Sequence, residues 1–147
     1  MDSLSYDYKQ IDFKNLMKAQ LRKYMDEIYK DKSIILDISR KVINKDTLEI
    51  YRVHCFEFFF KTQYMVERIL IDRQTKTYNS WINTFQYVEE CNYSVIEGGV
   101  RYVQKYSVPF FLKSKKEKVF KVGCEVIEKI INNHNFRSNA FSSYSKL

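Results

Sequence analysis

The sequence predicts a single α+β domain, a two-layer sandwich with an N-terminal helix, an antiparallel meander of four to six strands and a C-terminal helix. Three observations predict this class. The length of 147 residues suits one domain. Amphipathic helical patterns occur near both ends, and the segment between them is rich in β-branched and aromatic residues separated by polar turns. We place the domain at residues 1–134 and a polar C-terminal tail at residues 135–147.

The first helix is predicted from Ile11 to about Tyr29, where apolar residues recur at three- and four-residue spacing. On the flank of this helix, Lys14, Lys18 and Arg22 repeat every four residues and form a basic ridge. The apolar stripe comprises Phe13, Leu16, Met17, Leu21, Tyr24, Met25 and Ile28.

The strands are predicted from Ser33 onward. Residues 34–38 and 42–43 are rich in β-branched side chains and end at the polar turn 44–46. A long strand follows over 47–60, and another runs from Tyr64 to Ile71. A hairpin turn at 72–75 leads toward Tyr78. Residues 79–90 fit both helical spacing and strand alternation, and we favour a strand. A Glu-Gly-Gly turn at 97–99 then joins two further strands, of which the second spans 100–111.

Both faces of residues 47–60 are largely apolar, which predicts a central strand covered on both sides. The aromatic excess leaves an apolar face for a protein partner or a second copy of the chain to cover, as in a homodimer. Stacking on unpaired bases is a weaker interpretation than packing, because no glycine-spaced aromatic motif accompanies these residues. The predicted interaction face comprises Tyr51, Phe56, Phe58, Phe59, Phe60 and Tyr64.

The second helix is predicted from Lys115 to about Asn133. Ser114 and Glu117 have the spacing of a capping box, and an apolar periodic run from Val119 to Ile131 follows them. Gly123 lies within this stripe, where a glycine costs helix stability and favours close packing.

The net charge of +7 is concentrated in two segments. Residues 9–45 carry ten basic against five acidic residues, and residues 101–121 carry seven basic residues against Glu117 alone. Lysines at a helix N-terminus oppose the helix dipole, whereas free backbone N–H groups beside lysines suit a phosphate. We therefore predict contacts to DNA or RNA phosphates by Lys14, Lys18, Arg22, Arg101, Lys105, Lys113, Lys115, Lys116, Lys118 and Lys121. Solubilising lysines are the alternative.

Other chemistry has little support in the sequence. His54, His134 and the three cysteines lack the spacing of a zinc site, so we expect no metal and no cofactor. The carboxylates follow no nuclease-like pattern, and we expect no enzymatic activity and no catalytic residues. Charges interrupt the first twenty-five residues, and the apolar runs are too short to span a bilayer, so we expect an intracellular protein, cytoplasmic or nuclear, without a membrane partner.

Two functions from different classes remain open. The first is a small non-enzymatic nucleic-acid-binding protein that contacts phosphates through the start of the second helix. The second is a protein-interaction or assembly subunit, such as a viral, phage or mobile-element structural protein or host antagonist, that uses the aromatic face. The abundance of Lys, Asn, Ile and Tyr is typical of AT-rich coding sequences and favours such an origin.

Overall fold

The computed structural model describes residues 1–29, 35–58 and 61–137. Seven strands and two long helices occur in this part of the chain, with a short 3-10 helix before the second long helix. In chain order these are β1 (Asp2–Lys9), α1 (Phe13–Tyr29), β2 (Ile35–Val42), β3 (Thr47–Phe58), β4 (Lys61–Asp72), β5 (Thr77–Asn83), β6 (Val88–Ile96), β7 (Gly99–Ser107), the 3-10 helix (Phe110–Leu112) and α2 (Lys113–Asn133).

The strands form one antiparallel sheet in the order β1-β7-β6-β5-β4-β3-β2. Strands β2 to β7 are a meander, and β1 crosses to pair with the last strand, with Tyr8 opposite Val100. The α+β class, the antiparallel sheet and the two helices are therefore confirmed. The predicted count of four to six strands is too low.

Two features explain the wrong strand count. β1 was missed although Leu4, Tyr6 and Tyr8 alternate with polar residues, and its buried Tyr8 contributes to the core. Residues 79–90, predicted as one strand, instead hold the end of β5, a turn and the start of β6. Thr84 closes that turn: its hydroxyl accepts from the Tyr87 backbone N–H at 3.0 Å and contacts the Tyr87 carbonyl at 3.0 Å.

The β6–β7 hairpin requires glycine at two adjacent positions. Gly98 has φ +82°, a conformation that favours glycine. A Cβ at Gly99 would lie 2.0 Å from the backbone oxygen of Tyr8, so only glycine lets β1 approach β7 at this point.

Helix α1 begins two residues later than predicted, at Phe13, because Asp12 caps it. The Asp12 carboxylate accepts a hydrogen bond from the Asn15 backbone N–H at 2.7 Å. Phe13, Leu16 and Ala19 are buried, whereas Leu21, predicted in the same stripe, is exposed.

Helix α2 begins two residues before its predicted start, and the predicted capping box is wrong. The 3-10 helix runs directly into α2, so Leu112 is the N-cap and makes no side-chain hydrogen bond to the helix. Ser114 consequently lies inside the first turn. The buried stripe is Cys124, Ile127 and Ile131.

The core lies between the inner face of the sheet and both helices, where Ile69, Tyr93 and Val100 of the sheet pack with Leu16 of α1 and Ile127 of α2. Of the predicted tail, residues 138–147 lie outside the described part of the chain, as do Phe59 and Phe60. Phe136 packs against the core. Among the described residues, no helix is long and apolar enough to cross a membrane.

Candidate ligand cavity

A cavity of about 460 Å³ lies between the inner face of the sheet and the first half of α2. This volume falls in the range of small-molecule sites in proteins. Strands β3 to β7 supply most of its wall, and Gln20 and Lys23 of α1 complete it. Lys115 and Val119 of α2 also line it and are exposed, so the cavity opens to solvent beside them. We call this opening the mouth.

The floor of the cavity is aromatic. Tyr78, Tyr93 and Tyr102 occupy one row across β5, β6 and β7, because Tyr78 is registered with Tyr93 and Tyr93 with Tyr102. The Tyr93 and Tyr102 rings stack with centroids 4.3 Å apart, and Phe120 of α2 stacks on Tyr102 at 5.3 Å. Burial raises the pKa of Tyr102 well above its ordinary value, so the floor stays uncharged.

A buried ion pair forms the β3–β4 side of the wall. Arg52 and Glu67, each about 4% exposed, are directly opposite in register, and two guanidinium N–H groups bind Glu67 Oε1 at 2.9 and 2.6 Å. His54 Nε2 lies 2.9 Å from the same oxygen, and Arg52 also donates to the Tyr78 hydroxyl at 3.2 Å. Burial raises the pKa of Glu67, but the Arg52 charge and hydrogen bonds from His54 and Ser80 outweigh it and lower the pKa to about 2.

A second cluster, centred on Glu89, joins the sheet to α2. Lys116 of α2 forms an ion pair with Glu89 Oε2, to which Tyr87 donates its hydroxyl hydrogen at 2.5 Å. On the other oxygen, Gln104 donates at 3.0 Å and the Cys91 thiol at 3.2 Å. All four donors converge on one carboxylate that would otherwise be costly to bury.

This second cluster is not a nucleophilic site. Burial, and then the charge of Glu89, raise the pKa of Cys91 to about 12, so its thiol stays protonated. Burial and Glu89 likewise raise the pKa of Tyr87.

The register places these groups in order of polarity from floor to mouth. Next to the aromatic row lies a row of small polar side chains, in which Ser80 is opposite Cys91 and Cys91 is opposite Gln104. The following row, toward the start of α2, contains Glu89 opposite Ile82. The cavity is therefore apolar at its floor and charged near its mouth.

Gly123 is not required by close packing. A Cβ at this position would lie 3.4 Å from the Nζ atom of Lys23, which lines the cavity from α1, and this is an ordinary van der Waals distance. In the described part of the chain, no backbone atom of another element lies within 4 Å of that position, so the expected close packing at this glycine is not observed.

The residues predicted to contact phosphates lie on three elements. Arg101 pairs with Asp7 at 2.8 Å and Lys113 with Asp2 at 3.1 Å, and Lys116 faces the cavity. The other predicted cations are exposed: Lys14, Lys18 and Arg22 on α1, Lys105 on β7, and Lys115, Lys118 and Lys121 on α2.

The predicted interaction face is described only in part. Tyr51 and Tyr64 are exposed on the outer face of the sheet, opposite the cavity. The side chains of Phe56, Phe58, Phe59 and Phe60 lie outside the described part of the structure. In the described ranges, no three His, Cys, Asp or Glu residues are grouped to hold a metal ion.

Sequence reasoning missed the cavity, although one signal for it exists. Arg52 and His54 share a face of β3 with the apolar Leu48 and Ile50, and charged residues within an apolar period indicate a polar wall. Their partner Glu67 is fifteen residues away from Arg52, and only the strand register brings it to them.

These features define a class of architecture: a seven-stranded antiparallel sheet packed against two helices, with a cavity between the sheet and the long C-terminal helix. Two solved structures have a similar fold. The protein TTHA0849 from Thermus thermophilus has a TM-score of 0.54 at 10% identity and covers 90% of this chain and 95% of that chain. Ara h 8.0201 has a TM-score of 0.53 at 14% identity and covers 90% of this chain and 96% of that chain. At such identities the likeness shows the fold alone. No family model and no curated protein matches the chain.

Proposed function

We propose that this protein binds a small amphipathic acid, with its apolar or aromatic body in the cavity and its acidic group near the mouth. The observation that carries the proposal is the order of polarity along the cavity wall. The aromatic floor suits an apolar body, and an amphipathic ligand in the reverse orientation would bring apolar surface against buried charges.

The charges near the mouth favour an anion over a cation. Glu67 and Glu89 are each already engaged by several donors, so neither offers a free carboxylate to a cationic ligand. Lys115 adds an exposed cation at the mouth, and Lys116 lies beside it within the cavity. An acidic group placed here meets the exposed Lys115 ammonium, whereas Lys116 is already paired with Glu89.

Two fluorescent probes that differ by one acidic group test this proposal. We expect the anionic 1-anilinonaphthalene-8-sulfonate to bind saturably and about tenfold more tightly than the neutral N-phenyl-1-naphthylamine. Lys115→Gln should reduce this preference, whereas Lys121→Gln, an exposed lysine of α2 that does not line the cavity, should leave it unchanged. Equal affinities for the two probes, or a preference unaffected by Lys115→Gln, would overturn the assignment of an acidic ligand.

Phosphate binding by the start of α2 stays a second proposal, supported by the exposure of Lys115, Lys118 and Lys121. Phosphate binding predicts that the binding constant falls steeply with salt concentration, with a log–log slope of about −0.9 for each duplex phosphate neutralised. Fluorescence anisotropy with duplex and single-stranded oligonucleotides measures it. A flat salt dependence would exclude it.

A further inference from the structure

Three phenylalanines are exposed at the cavity-mouth end of the sheet. Phe85 is 99% exposed, Phe110 is 84% exposed and Phe111 is 51% exposed. We call Phe85, Phe110 and Phe111 the aromatic rim. Large apolar side chains exposed together mark an interaction surface more often than isolated ones do.

The strand register places the rim residues at one end of the molecule. Val88 at the start of β6 is opposite Ser107 at the end of β7. Phe85 precedes Val88 by three residues, and Phe110 follows Ser107 by three. Lys116 contacts the Tyr87 hydroxyl, which joins the Phe85 turn to the start of α2.

Hydrogen bonds hold both rim segments in place. The Phe85 turn is closed by the Thr84 backbone N–H, which donates to the Tyr87 carbonyl at 2.9 Å. The segment with Phe110 and Phe111 is closed by the Leu112 N–H, which donates to the Pro109 carbonyl at 2.9 Å. The two rings of that segment pack edge to face with centroids 5.7 Å apart. The phenylalanines are therefore presented by ordered turns.

Lysines flank the rim. Lys113, Lys115 and Lys118 are exposed in the first two turns of α2, which begins two residues after Phe111. Lys113 pairs with Asp2, and Glu117 is the acidic residue within these turns. Phenylalanines that project among lysines match the two layers of an anionic bilayer surface, in which negative headgroups lie above an apolar interior.

We propose that the aromatic rim and the adjoining lysines dock this protein on a membrane surface that contains anionic lipid. Charge complementarity identifies the occupant, because exposed phenylalanines beside exposed lysines match an apolar bilayer interior beneath negative headgroups. Hydropathy of the sequence could not reveal this surface, since it detects only segments that span a bilayer.

The mouth of the cavity lies beside the aromatic rim. Val108 and Leu112, which flank the rim segment in sequence, line the cavity together with Lys115. The mouth therefore opens within the docking surface, where an amphipathic acid can exchange with the bilayer. This consequence rests on the proposed function, but docking does not.

The test is co-sedimentation with vesicles of phosphatidylcholine alone and of phosphatidylcholine with phosphatidylserine. We expect the wild-type chain to bind the phosphatidylserine vesicles at least about tenfold more tightly than the neutral ones. The triple variant Phe85→Ser, Phe110→Ser, Phe111→Ser should lose about tenfold or more in affinity for them. Lys115→Glu with Lys118→Glu should remove the preference for phosphatidylserine.

The matched control removes three exposed apolar side chains from the outer face of the sheet: Tyr51→Ser, Tyr64→Ser and Val66→Ser. This variant should retain wild-type vesicle affinity to within about twofold. Failure of the wild-type chain to bind phosphatidylserine vesicles, or equal losses in the two triple variants, would overturn the proposal. The proposal would also be overturned if the wild-type chain did not bind vesicles but bound single-stranded oligonucleotides through the same phenylalanines. Probe titration without vesicles measures ligand binding and co-sedimentation measures docking, so failure of ligand binding and failure of docking are separable.

Discussion

The pair Arg52–Glu67 is the charge arrangement on which the cavity wall most depends. Both side chains are almost fully buried, so loss of either charge leaves the other without compensation in a poorly solvated site. The same two strands also carry Glu49–Arg68, in which 49% of the Arg68 side chain and 12% of the Glu49 side chain are exposed. The two pairs offer a direct comparison of a buried and a partly exposed ion pair between β3 and β4.

We predict that Glu67→Gln lowers the free energy of unfolding by about 3 kcal/mol or more, because Arg52 keeps its charge and loses its counterion. The matched variant Glu49→Gln should lower it by less than about 1 kcal/mol, because water and salt screen that pair. Urea unfolding followed by circular dichroism measures both. Similar losses in the two variants would show that the Arg52–Glu67 pair is not buried as described.

The same carboxylate predicts a dependence of stability on pH. The pKa of Glu67 falls from an ordinary value of 4.5 to about 2 in the folded chain. A carboxyl with a lowered folded pKa contributes stability above its unfolded pKa and loses it as pH falls through the folded pKa. The urea concentration at the midpoint of unfolding of the wild-type chain should therefore fall as the pH is lowered from about 4.5 to 2. The Glu67→Gln variant should show a smaller fall. Parallel declines in the two proteins would contradict the lowered pKa.

At the residue scale, the sequence indicated which groups are unusual but not how they meet. His54 was considered only as a metal ligand, and Lys116 only as a phosphate contact. Their partners Glu67 and Glu89 lie thirteen and twenty-seven residues away, and strand register and helix packing bring them together. Periodicity within one element carries no information about such distances.

At the element scale, Lys116 fastens the start of α2 to β6. It pairs with Glu89 and donates to Tyr87, and only about 10% of its side chain is exposed. Helix N-termini fray when tertiary contacts do not hold them. The start of α2 has no side-chain cap, so this contact stabilises the first turn in place of a cap.

We predict that Lys116→Met accelerates hydrogen exchange in the first three turns of α2 while exchange in β6 changes less. Lys118→Met, on the exposed side of the same turns, is the control and should leave exchange as in the wild-type chain. Hydrogen–deuterium exchange with mass spectrometry resolves these segments. Unchanged exchange in Lys116→Met would mean that α2 is held by its apolar stripe alone.

The elements themselves were largely predictable, because α1, α2 and the β6–β7 hairpin have strong periodicity or a clear glycine turn. The errors have physical causes. The alternation of Leu4, Tyr6 and Tyr8 in β1 belongs to a strand of only 8 residues, and that strand is stabilised by pairing with β7, which is more than ninety residues away. The capping box matched a common pattern, but the preceding 3-10 helix moved the helix start two residues earlier and left Ser114 inside it.

At the scale of the whole molecule, the aromatic richness that suggested an outer interaction face is also used inside. Tyr8, Tyr78, Tyr93 and Tyr102 line the cavity, and α2 closes over part of it. Helices packed along the whole inner face of the sheet would have filled this space. The area of that face depends on strand number and order, neither of which the sequence pattern specified.

The most direct test of the cavity as a ligand site is to obstruct its mouth and titrate 1-anilinonaphthalene-8-sulfonate by fluorescence. Val119 and Val122 are equally exposed on α2, at 58% and 57%, but only Val119 lines the cavity. We predict that Val119→Trp weakens probe binding by about tenfold or more, whereas Val122→Trp binds as the wild-type chain does. Equal affinity in all three proteins, or no saturable binding by the native wild-type chain, would contradict the assignment of this cavity as the binding site.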